Sequence, residues 1–165
     1  ALRGDTASGD SFLALQNGFL KLATANVVDT SGEAFNESAI FAALKAMPTK
    51  YLRNRAAMQH FVSINSETTL RQQAAGRFGA MGDAHLVGNL PLTVYGSPVK
   101  GVPLMPQANG LFTNPLNMIF GMQRDIQIEY DKDITSRVFI IVLTARVAVA
   151  LEEVNAAAKY INLGA

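Results

Sequence analysis

Leu111–Val149 reads LFTNPLNMIFGMQRDIQIEYDKDITSRVFIIVLTARVAV. Within it Ile126, Ile128 and Tyr130 alternate with Gln127, Glu129 and Asp131. A period of two predicts a strand with one buried face. Asp131 to Thr135 supply a short polar turn, and Val138 to Val149 form a long run rich in Val, Ile and Phe. Two β-type runs this close in sequence predict an antiparallel hairpin. Its second strand exceeds the usual five or so residues. A long hairpin with polar residues on one side suits a surface that meets other subunits.

The remainder of the chain supplies a body for that hairpin. The sequence of 165 residues fits one domain or two small lobes, and 49% hydrophobic content is enough for a core without covalent staples. Only 16% of residues are charged, below the usual quarter, so more of the surface is free to be covered by neighbours. The net charge of +1 lacks the clustered basic face of a dedicated nucleic-acid binder. With no cysteine there are neither disulfides nor thiolate metal sites, which fits a reducing compartment. No apolar run approaches the length of a membrane span. ALRGDTASGD at the start has no apolar core of a signal peptide.

Phe12, Leu15, Phe19 and Leu22 form one helical stripe, capped by Asp10 or Ser11 and weakened by Gly18. Asn26 to Gly32 reads as a connection. A second helix is predicted from Asn36 as cap, with Ala39, Ile40, Ala43, Leu44 and Met47 buried and Pro48 as its stop. Met58 to Ile64 reads as a strand. Asn65 or Ser66 caps a third helix running to about Phe78. Leu92–Tyr95, Val99–Met105 and Met118–Gly121 are short candidate strands among Pro91, Pro98, Pro103, Pro106 and Pro115, which exclude central strand positions. Asn155 begins a helical turn, and Ala158 to Asn162 a final strand. Helices and strands that do not strictly alternate give an α+β fold.

Catalytic chemistry finds little support. Phosphate-loop, dinucleotide and nucleophile-elbow motifs are absent. Gly76, Gly79 and Gly82 follow a helix and read as its loosened end. His60 and His85 are the only histidines; Asp83 with His85 is a weak metal pattern, and His60 on a strand reads as structural. Asp131 and Asp133 could bind calcium but fit a turn better. Glu152 and Glu153 point to opposite faces of a strand and make a poor catalytic pair. Arg3-Gly4-Asp5 is a chance tripeptide, and Asn36-Glu37-Ser38 a helix cap that happens to spell a sequon. Arg53, Arg55, Arg71, Arg77, Arg124, Arg137 and Arg146 are dispersed, as interface salt bridges would have them. No catalytic, cofactor or metal residue is assigned.

The ordered series of segments resembles the major capsid proteins of tailed bacteriophages, with the Hong Kong 97-like fold. Met58–Ser63 precedes a helix carrying Leu70 and Arg71, and Gly82-Asp83 leads to Gly88. Tyr95–Val99 resembles the family's G-I/S-P-V segment, and Pro103–Pro106 the following strand and turn. Leu111–Gly121 resembles its L-T-x-P-x-N-L-I-x-G segment, and Arg124–Glu129 with Arg137–Val149 its closing long strands. The likeness spans roughly residues 10 to 163. It implies residues 1–30 as peripheral lobe with the start of a spine helix, 31–122 as axial lobe around five- and six-fold axes, and 123–165 as peripheral long strands and C-terminal segment. It further implies a non-catalytic, self-assembling icosahedral shell subunit of a phage or prophage. Pentamers and hexamers would enclose double-stranded DNA, touched non-specifically if at all, away from membranes. The shell would be a virion capsid assembled in the host bacterial cytoplasm. The family's N-terminal arm and extended loop are not seen ahead of the spine helix, which implies a trimmed form. The alternatives are an encapsulin-like compartment shell and a small α+β enzyme or ligand-binding domain.

Overall fold

Gly110-Leu-Phe-Thr is the segment around which the body is built. In the computed structural model, which describes residues 18–76, 91–133 and 135–164, it forms a strand with all four residues buried. Leu111 and Phe112 necessarily face opposite sides of the sheet, and both are fully buried, so each side carries a core. In chain order the elements are α1 (Phe19–Leu22), β1 (Asn26–Asp29), α2 (Glu37–Ala46), a 3-10 segment (Thr49–Ala57), β2 (Gln59–Val62) and α3 (Ile64–Ala75). Then come β3 (Thr93–Val94), β4 (Ser97–Gly101), β5 (Gly110–Thr113), β6 (Met118–Asp133), β7 (Val138–Leu151) and β8 (Ala157–Ile161), with 3-10 turns at Pro115–Asn117 and Val154–Ala156. One six-stranded sheet has the order β1-β8-β5-β2-β4-β3; β6 and β7 form a separate two-stranded ribbon. β1 is parallel to β8 and β2 to β4, while the other neighbours are antiparallel. The α+β expectation holds.

The larger core joins Ile40, Ala43, Leu44 and Met47 of α2 to Val62, Phe112, Ala158 and Tyr160 of the sheet. The smaller one joins Phe19, Leu20 and Ala23 to Leu111 and Ala157, with Val149 and Leu151 of the ribbon base packed against it. Asn36 caps α2 by accepting a 2.9 Å bond from the Ala39 amide, and Pro48 follows its end, as expected. The Ser63 hydroxyl caps α3 through the Ser66 amide at 3.1 Å. The cap therefore lies two or three residues earlier than Asn65 or Ser66, and Ile64 opens the helix instead of ending the strand.

Other expectations are corrected. Asn26–Gly32 contains strand β1, which at four residues is too short for a periodic signal. β5 had none either, since a strand buried on both faces has no polar alternation. Leu151 ends β7, so Glu152 and Glu153 are not strand residues; the Glu153 carboxylate instead caps the turn at Val154–Ala156 by accepting from the Asn155 amide. Pro98 does lie within β4, opposite Thr93 of the edge strand β3, one residue before pairing with β2 begins at Val99. The sheet also crosses the expected lobe boundaries. β8 lies between β1 and β5 in it, so the 123–165 segment pairs with both the 1–30 and the 31–122 segments. The helix caps Asp10 and Ser11, the stripe residues Phe12 and Leu15, and Arg77, Phe78, Gly79, Gly82, Asp83, His85 and Gly88 lie outside the described residues.

Where β5 leaves the sheet, one side chain joins both ends of the ribbon to it. Asn117 is buried. Its amide donates to Thr113 Oγ1 at 3.2 Å and to the Glu153 carbonyl at 3.0 Å, and its Oδ1 accepts from the Glu153 amide at 2.8 Å. Thr113 Oγ1 in turn donates to the Ala156 carbonyl at 2.9 Å, and the Asn117 carbonyl accepts from the Glu152 amide. Asn117→Ala strands these groups and is expected to lower unfolding free energy by about 2–4 kcal/mol, read by urea denaturation. Gly110→Ala should cost about 1–3 kcal/mol in the same assay. A Cβ there would stand 3.0 Å from Tyr160, 3.1 Å from Val62 and 3.2 Å from the Phe61 carbonyl, leaving no flexible neighbour to give way.

Candidate assembly surface

The ribbon is the feature the fold leaves uncovered. β6 runs 16 residues and β7 14, and the polar turn starts only after Asp133, with Arg137 in the left-handed region at φ 56°. Asp131 therefore lies within the strand rather than in the turn. Cross-strand partners share a face. Ile128 stands opposite Leu143, Tyr130 opposite Ile141 and Lys132 opposite Phe139. The other face pairs Gln127 with Thr144, Glu129 with Val142 and Asp131 with Ile140. One face is thus apolar on both strands, apart from Lys132, whose ammonium lies 5.6 Å from the Phe139 ring centre. The opposite face is polar along β6 and, apart from Thr144, apolar along β7.

The sequence expectation of one buried face is overturned here. Tyr130 and Phe139 are each 74% exposed and Leu143 64%. Alternation in β6 marks a ribbon with an apolar side, and nothing among the described residues covers it. A two-stranded ribbon is marginal alone in water, and its outer edges are unpaired. Apolar exposure on this scale marks an interaction surface.

A second surface lies at the other sheet edge. Phe41, Leu44, Lys45, Thr49, Leu52, Arg53, Arg55 and Tyr95 line a groove of about 580 Å³. The Arg55 guanidinium lies 4.5 Å over the Tyr95 ring, and Phe41 meets that ring edge-on at 5.9 Å. Tyr95 and Gly96, both with positive φ, make the tight β3–β4 turn that presents the ring. The arginines are therefore not evenly dispersed: from Ser38 to Ser66 the chain has Lys45, Lys50, Arg53 and Arg55 and no carboxylate. That one-signed run was legible in the sequence and was passed over.

His60 is structural, as expected. It is fully buried, stacks on Phe112 at 4.1 Å and shares a 2.8 Å hydrogen bond between Nδ1 and the Tyr160 hydroxyl. Burial pushes its pKa down to about 3 and that of Tyr160 well up. No cluster of three metal-binding side chains occurs among the described residues. The Asp133 side chain lies outside the described residues.

The comparisons follow from this geometry. No protein-family model matches the chain. A relative in Bacillus subtilis strain 168, YqbE, whose curated name places it among prophage capsid proteins, is 37% identical over 174 aligned positions. The match takes in 98% of this chain and 56% of YqbE, so the chain spans just over half the length of that relative. The procapsid of satellite phage P4 contains a chain that superposes over 99% of this one, with a TM-score of 0.70 at 13% identity and 55% of its own length covered. The chain has a phage capsid-protein fold. The capsid-fold chain also superposes on the capsid of an empty GTA particle, with a TM-score of 0.62, 19% identity, and 87% of this chain and 56% of the other covered. An encapsulin complex from Synechococcus elongatus PCC 7942 shares the fold at a TM-score of 0.56 and 12% identity, over 89% of this chain and 56% of its own.

His60 gives the capsid-fold body an acid-sensitive core. Below the usual histidine pKa near 6.5 the unfolded imidazole binds a proton that the folded one refuses until about pH 3. Stability is therefore complete above pH 6.5 and falls as pH is lowered through that window, by at most about 1.4 kcal/mol per unit from this group. His60→Gln is expected to be less stable at pH 7. Its deficit against the parent should shrink by about 2 kcal/mol at pH 4.5 in paired urea titrations.

Proposed function

We propose that this chain is the shell-forming part of a capsid subunit whose work is mechanical, with no catalysis and no cofactor. The observation that carries the reading is the long ribbon with an uncovered apolar face, anchored through Asn117 to a body of capsid-protein fold. A surface of that kind is stable only when other chains cover it, and a closed shell covers it on every copy. The sheet with α2 and α3 would be the axial lobe of a Hong Kong 97-like subunit, taking in β1 and β8. α1 would belong to the spine helix, and the ribbon to the peripheral lobe. The shell would be icosahedral, with pentamers and hexamers made by heterologous contacts that close into rings. It would enclose double-stranded DNA held without sequence preference, as the capsid of a virion assembled in the host cytoplasm. The encapsulin likeness supports a second reading, a shell around protein cargo.

Negative-stain microscopy of the full-length protein, followed by nuclease and protease treatment of opened particles, tests both. Icosahedral particles containing DNA are expected. Particles filled with protein alone would favour the second reading, and a product that stays monomeric at high concentration would sink both. Replacing Tyr130 and Phe139 together by Glu should leave the melting temperature within a few degrees, because both rings are exposed in the subunit. The same variant should abolish particles. Normal particles from it would show that the ribbon face is not an assembly contact.

A further inference from the structure

The two edges of the six-stranded sheet carry opposite charge. At the β1 edge, Asp29 and Glu33 bracket a tight turn in which Ser31 and Gly32 both have positive φ. Both acidic residues are exposed. From Leu22 to Leu44 the chain has Asp29, Glu33 and Glu37 and no lysine or arginine. The turn is held rigidly: the Glu33 amide donates to the Thr30 carbonyl at 2.9 Å, the Ser31 amide to Asp29 Oδ1 at 2.8 Å, and the Asn162 side-chain amide to the same oxygen at 3.0 Å. β3 is the opposite edge, and the turn after it presents Tyr95 to the groove bearing Lys45, Arg53 and Arg55. Among the described residues no carboxylate lines that groove. Lys50 belongs to a different environment, over the Tyr51 ring and within the field of Glu153.

A groove with three cations, two exposed aromatic rings and no internal counter-charge calls for an anionic partner of limited bulk. This chain presents one on a preformed turn at the far side of the same sheet. We propose that the groove beside Tyr95 receives the Asp29–Glu33 turn of a second copy, so that subunits join edge to edge, head to tail. Two different patches in contact make a heterologous interface, the type that generates rings. Arg53 and Arg55 supply forked donors for the carboxylates, and the Arg55–Tyr95 stack fixes one of them in place before contact. The inference rests on the shell-subunit reading and names the residues of its ring contact.

Because the sequence contains no cysteine, paired thiols report the contact directly. In the full-length protein, with any cysteine outside this chain replaced, Glu33→Cys with Arg53→Cys is expected to give disulfide-linked ladders on mild oxidation of assembled material, whereas each single variant gives none. Arg53→Glu with Arg55→Glu should reduce particle yield at least tenfold without lowering the melting temperature. Adding Asp29→Lys and Glu33→Lys to that variant should restore particles. Particles that form but yield no ladder would overturn the contact while leaving the shell reading intact, as would normal particles from the charge-reversed groove, with or without loss of packaged nucleic acid. A full-length protein that neither assembles nor cross-links would overturn both together.

Discussion

The Asn117 side chain fixes the relation between the two parts of this molecule. It sits where β5 ends, β6 departs and β7 returns, and it bonds to both sides of that junction. Without it the ribbon would be held by its two peptide connections, a backbone bond from Glu152 to Asn117 and the packing of Met118, Val149 and Leu151 on the smaller core. A shell cannot tolerate such freedom, because an angular error at the root of a ribbon becomes a large displacement at its tip. Sixteen residues of strand extend roughly 50 Å, so a few degrees at the base moves the end by several ångströms. The buried amide adds its bonds to that packing and fixes the angle at which the ribbon leaves the body.

The body achieves rigidity by a different route. β5 and β8 are covered on both faces, with α2 and α3 over one side and α1 with the ribbon base over the other. Between them His60, Phe112, Tyr160 and Phe35 interlock: Phe112 stacks on the imidazole, Tyr160 bonds to it, and Phe35 meets Tyr160 edge-on at 5.4 Å. A neutral imidazole there adds a polar anchor to an apolar cluster, at the cost of acid sensitivity. Few of these contacts involve surface ion pairs; Arg71 with Glu67 is a helical pair of the kind that contributes little.

Much of this was legible in the sequence where a local rule governs. Asn36, Pro48 and the Ile40–Ala43–Leu44–Met47 stripe defined α2, and period-two alternation defined the ribbon. What escaped was non-local. β1 is four residues that become a strand only because β8 arrives beside them, and β5 lacks alternation because it is buried twice over. The ribbon's exposure escaped for the same reason: alternation reveals that a strand has two unlike faces, but not whether the apolar one is covered by its own chain or by another. The groove was missed because arginines were weighed singly, when the informative signal was the absence of carboxylates across Ser38–Ser66.

The pairing of Asn26 with residues about 131 positions later has a temporal meaning. β1 has no partner strand until β8, more than a hundred residues later, has been made. At translation speeds of about 5–20 residues per second, that leaves the sheet edge unfinished for roughly 7–26 s. The acidic turn is pinned by Ile161 and Asn162, so it cannot take shape earlier either. The turn proposed to dock on a neighbouring copy is thus completed only after residues 161 and 162 have been made.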